Sequence, residues 1–159
     1  LYKCRQVMPS DYLTICNFPL NAEELFYMYP QATFPLTVDQ LEAKSNSRLK
    51  PMVLLGDEDR VIGYANIYDL DEGLRCWLGN VIVSPEFRGK GAAEYLIRSM
   101  MSAARDELHV KALHLVCHNT NTRALMFYTK FNFKPYEITM RTNNQGQTIA
   151  GILMKADLS

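Results

Sequence analysis

Between Arg75 and Cys117 an apolar run, a basic glycine turn, a long amphipathic stretch and a second apolar run follow one another, and that order leaves few ways to fold. Arg75 to Val83 reads as a strand and Arg88-Gly89-Lys90-Gly91 as a loop. Ala92 to Glu107 reads as a helix, with Leu96, Met100, Ala103 and Ala104 at helical spacing, and Ala112 to Cys117 as the next strand. A connection of a dozen or more residues that carries a helix is what a parallel strand pair requires. The two strands are therefore expected to lie parallel and adjacent, with the helix packed across them.

The remaining pattern fits around this unit. Pro9 to about Asn17, Asn21 toward Met28, and Val38 to about Ser45 behind the Thr37 cap are predicted as short helices. Met52 to Leu55, Val61 to Tyr68 and Arg75 to Val83 are separated by short turn-rich segments, so they are expected to be antiparallel. A helix from Thr122 to Lys130, capped from Asn119 to Asn121, precedes a hairpin of Pro135 to Arg141 and Thr148 to Lys155. The order predicts a mixed α/β sheet, mostly antiparallel, rather than an alternating doubly wound one. With 159 residues and 48% apolar content, the whole chain, 1–159, is expected to be one domain.

Charge narrows the partners. Seventeen basic and 17 acidic residues give a formal net charge of +0, without the footprint of a general nucleic-acid or anionic-membrane binder. The longest apolar runs, Leu25 to Tyr29 and Ala124 to Tyr128, are far below the roughly 18 residues of a membrane span. The start, Leu1 to Arg5, has no apolar stretch of signal-peptide length, so the expected location is cytoplasmic. Cys4, Cys16, Cys76 and Cys117 have no C-x-x-C spacing and are expected to be reduced, Cys76 and Cys117 as small buried hydrophobes. His109, His114 and His118 lack metal-ligand spacing, and no metal is expected.

The segment from Asn80 to Ala93 is where chemistry is concentrated. A strand ends at Val83, and small residues after it let successive N–H groups and a helix N-terminus converge on one point. Such a point suits a pyrophosphate, with Arg88 and Lys90 expected to add positive charge. An ordinary strand-to-helix turn with two exposed basic residues is the alternative. The spelling matches neither the P-loop nor the dinucleotide fingerprint, since Glu94 stands where the last glycine of the latter belongs.

Here the sequence resembles the GNAT superfamily of N-acetyltransferases. Arg88-Gly89-Lys90-Gly91-Ala92-Ala93 matches its acetyl-CoA signature, Arg/Gln-x-x-Gly-x-Gly/Ala, after the approach Val83-Ser84-Pro85-Glu86-Phe87. Asn121-Thr122-Arg123-Ala124-Leu125-Met126-Phe127-Tyr128 matches the second family segment, Asn-x-x-Ala-x-x-x-Tyr. Lys130-Phe131-Asn132-Phe133 follows, with Asn132 where the family often has Gly. The resemblance is good from Val61 to about Lys155. It implies a GNAT-like fold whose parallel strands splay apart around the pantetheine arm of acetyl-CoA.

The resemblance also implies roles. Ile82 and Val83 would pair with the pantetheine arm through their backbone; the amides of Arg88, Gly89, Lys90, Gly91, Ala92 and Ala93 would hold the pyrophosphate. Asn121 would face the pantetheine or its thiol end, and Tyr128 would protonate the leaving thiolate. A core aromatic with a hydrogen-bonded hydroxyl is the other reading of Tyr128. Many relatives place a Glu on the fourth strand, but Arg75-Cys76-Trp77-Leu78-Gly79-Asn80 offers no carboxylate, so no base is carried over. Glu23, Glu24, Asp69, Asp71 and Glu72 are expected to be solvated carboxylates, and Phe26-Tyr27-Met28-Tyr29 with Phe34 to pack helices over the sheet.

The function implied is direct transfer of an acetyl group from acetyl-CoA to a primary amine of a small molecule or peptide. The resemblance allows a homodimer. A regulatory module that binds acetyl-CoA without turnover is the rival from another class.

Overall fold

In the computed structural model, which describes all 159 residues, seven strands form one sheet. They are β1 (Lys3–Gln6), β2 (Leu49–Leu55), β3 (Val61–Asp71), β4 (Arg75–Val83), β5 (Ala112–His118), β6 (Lys134–Thr142) and β7 (Thr148–Asp157), arranged β1-β2-β3-β4-β5-β7-β6. Short polar connections make β2, β3 and β4 antiparallel neighbours, and β6 and β7 a hairpin that docks on β5. Only β4 and β5 run parallel. This is the mixed sheet that the sequence predicts.

Five helices cover the two faces: α1 (Tyr12–Cys16), α2 (Ala22–Met28), α3 (Val38–Asn46), α4 (Ala92–Asp106) and α5 (Thr122–Lys130). Asn21 accepts a hydrogen bond from the Glu24 N–H and Thr37 from that of Gln40, which starts α2 and α3 where the sequence places them. Leu96, Ile97, Met100 and Ala104 form the buried stripe of α4, against Ile67, Leu78, Leu113 and Leu115 of the sheet. On the opposite face Tyr12, Ile15, Leu25 and Leu41 pack on Val53, Tyr64 and Ile82. Phe26, Met28 and Tyr29 are buried, in line with a packing role, while Phe34 remains 43% exposed. Cys76 and Cys117 are buried too, and burial pushes their thiols up, to about 11 and about 12. Neither is a thiolate at neutral pH.

β1 is not visible in the sequence. Lys3-Cys4-Arg5-Gln6 is a four-residue edge strand whose one neighbour is β2, held from Lys3↔Leu55 to Gln6↔Met52. A two-pronged ion pair fastens it: Arg5 Nη1 and Nη2 donate to Asp11 Oδ2 and Oδ1 at 2.8 and 3.0 Å, and the Met8 N–H donates to Oδ2 at 2.7 Å. Asp11 is only 5% exposed. Burial alone would raise its pKa, but the bonds from Arg5 and Met8 outweigh that and hold it below the ordinary 3.8.

Replacing Asp11 by Ala should therefore cost about 2 kcal/mol of unfolding free energy in urea titrations. The depressed pKa contributes stability above the unfolded value of 3.8 and loses it as pH falls through the folded value. The gap between wild type and Asp11→Ala should accordingly stay constant from pH 7 to 5 and narrow only below about 4.

Candidate functional site: a cleft between parallel strands

The parallel pair is brief. Arg75↔Ala112, Cys76↔Leu113 and Trp77↔His114 are in register, and beyond them the strands part. β4 stays with β3 as far as Val83↔Gly63, while β5 stays with β7 as far as His118↔Gly151. Each is held by its outer neighbour, so a gap opens between Gly79–Val83 and Val116–His118. A cavity of about 1030 Å³ occupies it.

A bulge in β4 aids the separation. Gly79 pairs with Asn66 and Ile82 with Tyr64, so Asn80 and Val81 together oppose Ala65. Asn80 has φ of 51°, left-handed backbone that Asn tolerates better than most residues. Both ends of its amide are engaged: Nδ2 donates to the Met28 carbonyl and Oδ1 accepts from Asn66 Nδ2, both at 2.9 Å, and Asn66 Nδ2 also reaches the Tyr64 hydroxyl. The extra residue reverses the side-chain alternation. Cys76 and Leu78 face the α4 side, whereas after the bulge Val83 takes that side and Ile82 turns to the α1–α3 side.

Beyond Val83 the chain reaches the glycine loop. Gly89 (φ 76°) and Gly91 (φ 82°) are both left-handed, and Gly91 starts α4 with no side chain capping the helix. The first-turn N–H groups of a 15-residue helix are left for an external acceptor. The side chains differ from expectation. Arg88 turns back to Glu24, Nη1 to Oε2 at 3.0 Å and Nη2 to Oε1 at 3.1 Å, while Nε donates to the Val83 carbonyl. Its charge is spent within the protein, and Glu24, expected to be solvated, is its partner. Lys90 is exposed, 5.8 Å from the Phe87 ring centroid and outside the cavity lining. Positive potential at the loop thus comes chiefly from oriented backbone.

The cavity lining brings together Ile82, Val83, Arg88, Gly89, Gly91, Ala93, Asn121 and Tyr128. Ala92 lies beneath it, fully buried in the core. Asn121 occupies the N-cap position of α5 but makes no capping bond, which leaves its amide free toward the cleft. Tyr128 packs edge-on against Phe127 and Phe133. Burial, and then the neighbouring Cys117, raise its pKa, so the phenol keeps its proton at neutral pH. No protein group hydrogen-bonds its hydroxyl, which argues against the purely structural reading. Asn132 sits at φ of 66°, the left-handed position where the family often has Gly.

Sequence reasoning missed three residues on the opposite side of the cleft. His118 stacks with Phe26 and Tyr27 at ring-centroid distances of 4.5 and 6.2 Å. Burial, and then Arg141, hold its pKa below the ordinary 6.5, so it is neutral at pH 7. Arg48 lies over the Tyr68 ring at 4.0 Å, and Arg141 lines the same end. No local motif marks any of them, because the turn between α3 and β2, β5 and β6 bring them together from positions far apart. No helix is long and apolar enough to cross a membrane, and no group of three or more His, Cys, Asp or Glu is placed to hold a metal.

The sequence matches the acetyltransferase (GNAT) family over residues 16–133, and the chain belongs to that family. Solved structures share its fold. Spermidine N-acetyltransferase from Vibrio cholerae, in complex with CoA and spermine, is 18% identical with a TM-score of 0.83 over 99% of this chain and 95% of its own. A GNAT superfamily phosphinothricin acetyltransferase from Sinorhizobium meliloti, in complex with AcCoA, is 16% identical with a TM-score of 0.80 over 99% and 89%. An N-acetyltransferase of a ribosomal-protein alanine from Escherichia coli is 16% identical with a TM-score of 0.77 over 100% and 95%. No curated protein matches the chain.

The bulge gives a test of the cleft. Asn80→Ala should lower stability by about 3 kcal/mol, since it removes the bond to the Met28 carbonyl and leaves Asn66 Nδ2 with only the Tyr64 hydroxyl in a buried site. Asn80→Gly should lose about 1 kcal/mol less, because Gly accepts positive φ. In a regular strand the order would be reversed, so chemical denaturation of the two variants reports the backbone conformation.

Proposed function

We propose that this protein moves the acetyl group of acetyl-CoA to a primary amine of a small molecule or peptide by direct transfer. One observation carries the reading: the gap between β4 and β5 runs from an uncapped helix N-terminus to the half-buried Tyr128 phenol, whose hydroxyl has no protein partner. The diphosphate of the cosubstrate would take the amides of the loop and first turn of α4. The pantetheine arm would lie along the free edge of β4 at Ile82 and Val83, with Asn121 opposite.

The amine nitrogen attacks the thioester carbonyl carbon, the C–S bond breaks, and the departing sulfur takes a proton from Tyr128. Backbone N–H groups on the unpaired edge of β4 supply donors for the developing oxyanion. An alkylammonium must first shed a proton. His118 is the imidazole lining the cavity, and its lowered pKa leaves it free to accept that proton at pH 7. After attack the nitrogen sheds a second proton, which restores the Tyr128 phenol, and His118 passes the first to solvent, so one proton is released for each ammonium consumed.

Tyr128→Phe keeps the ring contacts and removes only an unpartnered hydroxyl. Turnover, read as thiol release, should fall about 10²- to 10⁴-fold, while the melting temperature and the calorimetric affinity for acetyl-CoA stay near wild type. Acetyl-CoA binding without thiol release by the wild-type protein, across a broad amine panel, would favour the sensor reading instead.

His118→Gln separates the two proton transfers. With the His pKa held below 6.5, wild-type kcat/KM should decline only on the acid side of that value. The variant should lose about 10- to 100-fold at pH 7 and much less at pH 9, where free amine is plentiful. A uniform loss across pH would assign His118 to packing.

A further inference from the structure

Building on the acetyltransferase reading, we propose that Arg48 and Arg141 form an oxyanion subsite at the acceptor end of the cleft, so that the acceptor is a small amine that also carries an anionic group, a carboxylate in the simplest case. Arg48 follows α3 and lies across the Tyr68 ring, and Arg141 stands near the end of β6; both line the cavity. Tyr68, whose ring Arg48 covers, lines the same cavity. Neither makes a hydrogen bond or ion pair, although the protein has as many acids as bases.

Arg48 is the more telling of the two. Its Nη1 is buried without a partner. A Cβ on Gly79 would stand 2.6 Å from that nitrogen, so the absence of a side chain there is what admits the guanidinium. Nε and Nη2 are also unpartnered but are not buried, which leaves them open to the cavity. The carboxylates nearby do not neutralise it. Asp69 is felt by Arg48 but forms no ion pair with it, and Glu24 is occupied by Arg88. Glu23, which also lines the cavity, makes no ion pair with either arginine. Burying a guanidinium without a counter-charge is costly, and a bound oxyanion supplies one. A polyamine would bring positive charge against this wall.

The test uses the CoA complex of the full chain and a panel of amino acids, their decarboxylated amines, their carboxamides, aminophosphonates and spermidine. Calorimetry should show binding of one or more carboxylate-bearing amines, with affinity falling roughly 10- to 100-fold when the carboxylate is removed or made an amide. The aminophosphonates show whether a phosphonate can replace the carboxylate. Arg48→Met and Arg141→Met should each raise KM for the anionic acceptor by a similar factor with little change in CoA affinity; Arg48→Met should also leave kcat and the handling of decarboxylated amines near wild type, whereas Arg141→Met also relaxes the lowered pKa of His118. Melting curves on the same preparations report folding, and Arg141→Met, on a half-buried residue, serves if Arg48→Met does not fold. Equal or better binding of spermidine or decarboxylated amines, or variants that weaken every amine alike, would overturn the subsite. So would a panel in which no oxyanion-bearing amine binds. If such amines bind through the arginines but no thiol is released, the subsite stands and the acetyltransferase reading falls.

Discussion

A single left-handed residue inside a strand, Asn80, governs the layout of the cleft. Its conformation is held by buried amide hydrogen bonds that join β3, β4 and the last turn of α2. These bonds fix an extra residue in β4, and that residue changes which side chains face which helices. Without it Ile82 would point toward α4 and Val83 away, and the chain would enter the glycine loop at a different angle. The edge of β4 that faces the gap has no strand partner beyond Trp77. A closed sheet is the favourable outcome for backbone polar groups. Here the edge is left unpaired over the length a ligand can occupy.

Electrostatics follow the same logic. The chain is neutral overall, and its most conspicuous basic loop contributes little side-chain charge to the cleft, because Arg88 is committed to Glu24 and Lys90 faces outward. What remains at the loop is the N-terminal end of α4, fixed in direction and needing no reorganisation to receive an anion. The uncompensated side-chain charge lies at the other end, on Arg48 and Arg141, with neutral His118 and protonated Tyr128 lining the cleft as well. The two ends differ in kind. One presents backbone dipoles and the other guanidinium groups, with Arg48 laid over the Tyr68 ring.

How much of this the sequence reveals depends on the range of the interaction. The crossover from β4 through α4 to β5, the left-handed glycines and the caps of α2 and α3 are local, and each is legible in a few residues. β1 escapes because a four-residue edge strand with one apolar-facing side has no alternation long enough to read. The bulge escapes because Asn is tolerant of positive φ but does not require it; the bonds to Met28 and Asn66 choose the conformation. The role of Arg88 is inverted for the same reason, since Glu24 lies 64 positions earlier. His118, Arg48 and Arg141 come from three elements that meet only in the folded sheet.

The helix α2 joins more than its sequence suggests. Through Glu24 it holds Arg88 on the β4 side of the gap, and through the Tyr27 hydroxyl, 3.0 Å from Thr120 Oγ1, it reaches the loop after β5. It is a crossbar fixed to both jambs of an open doorway. Substitutions at Glu24 or Tyr27 change the width of the frame as well as the wall of the site. Glu23 and Gln31 also line the cavity but anchor neither jamb. Those two positions can change the cavity wall without loosening the frame, whereas a change one residue from Glu23, at Glu24, also releases Arg88.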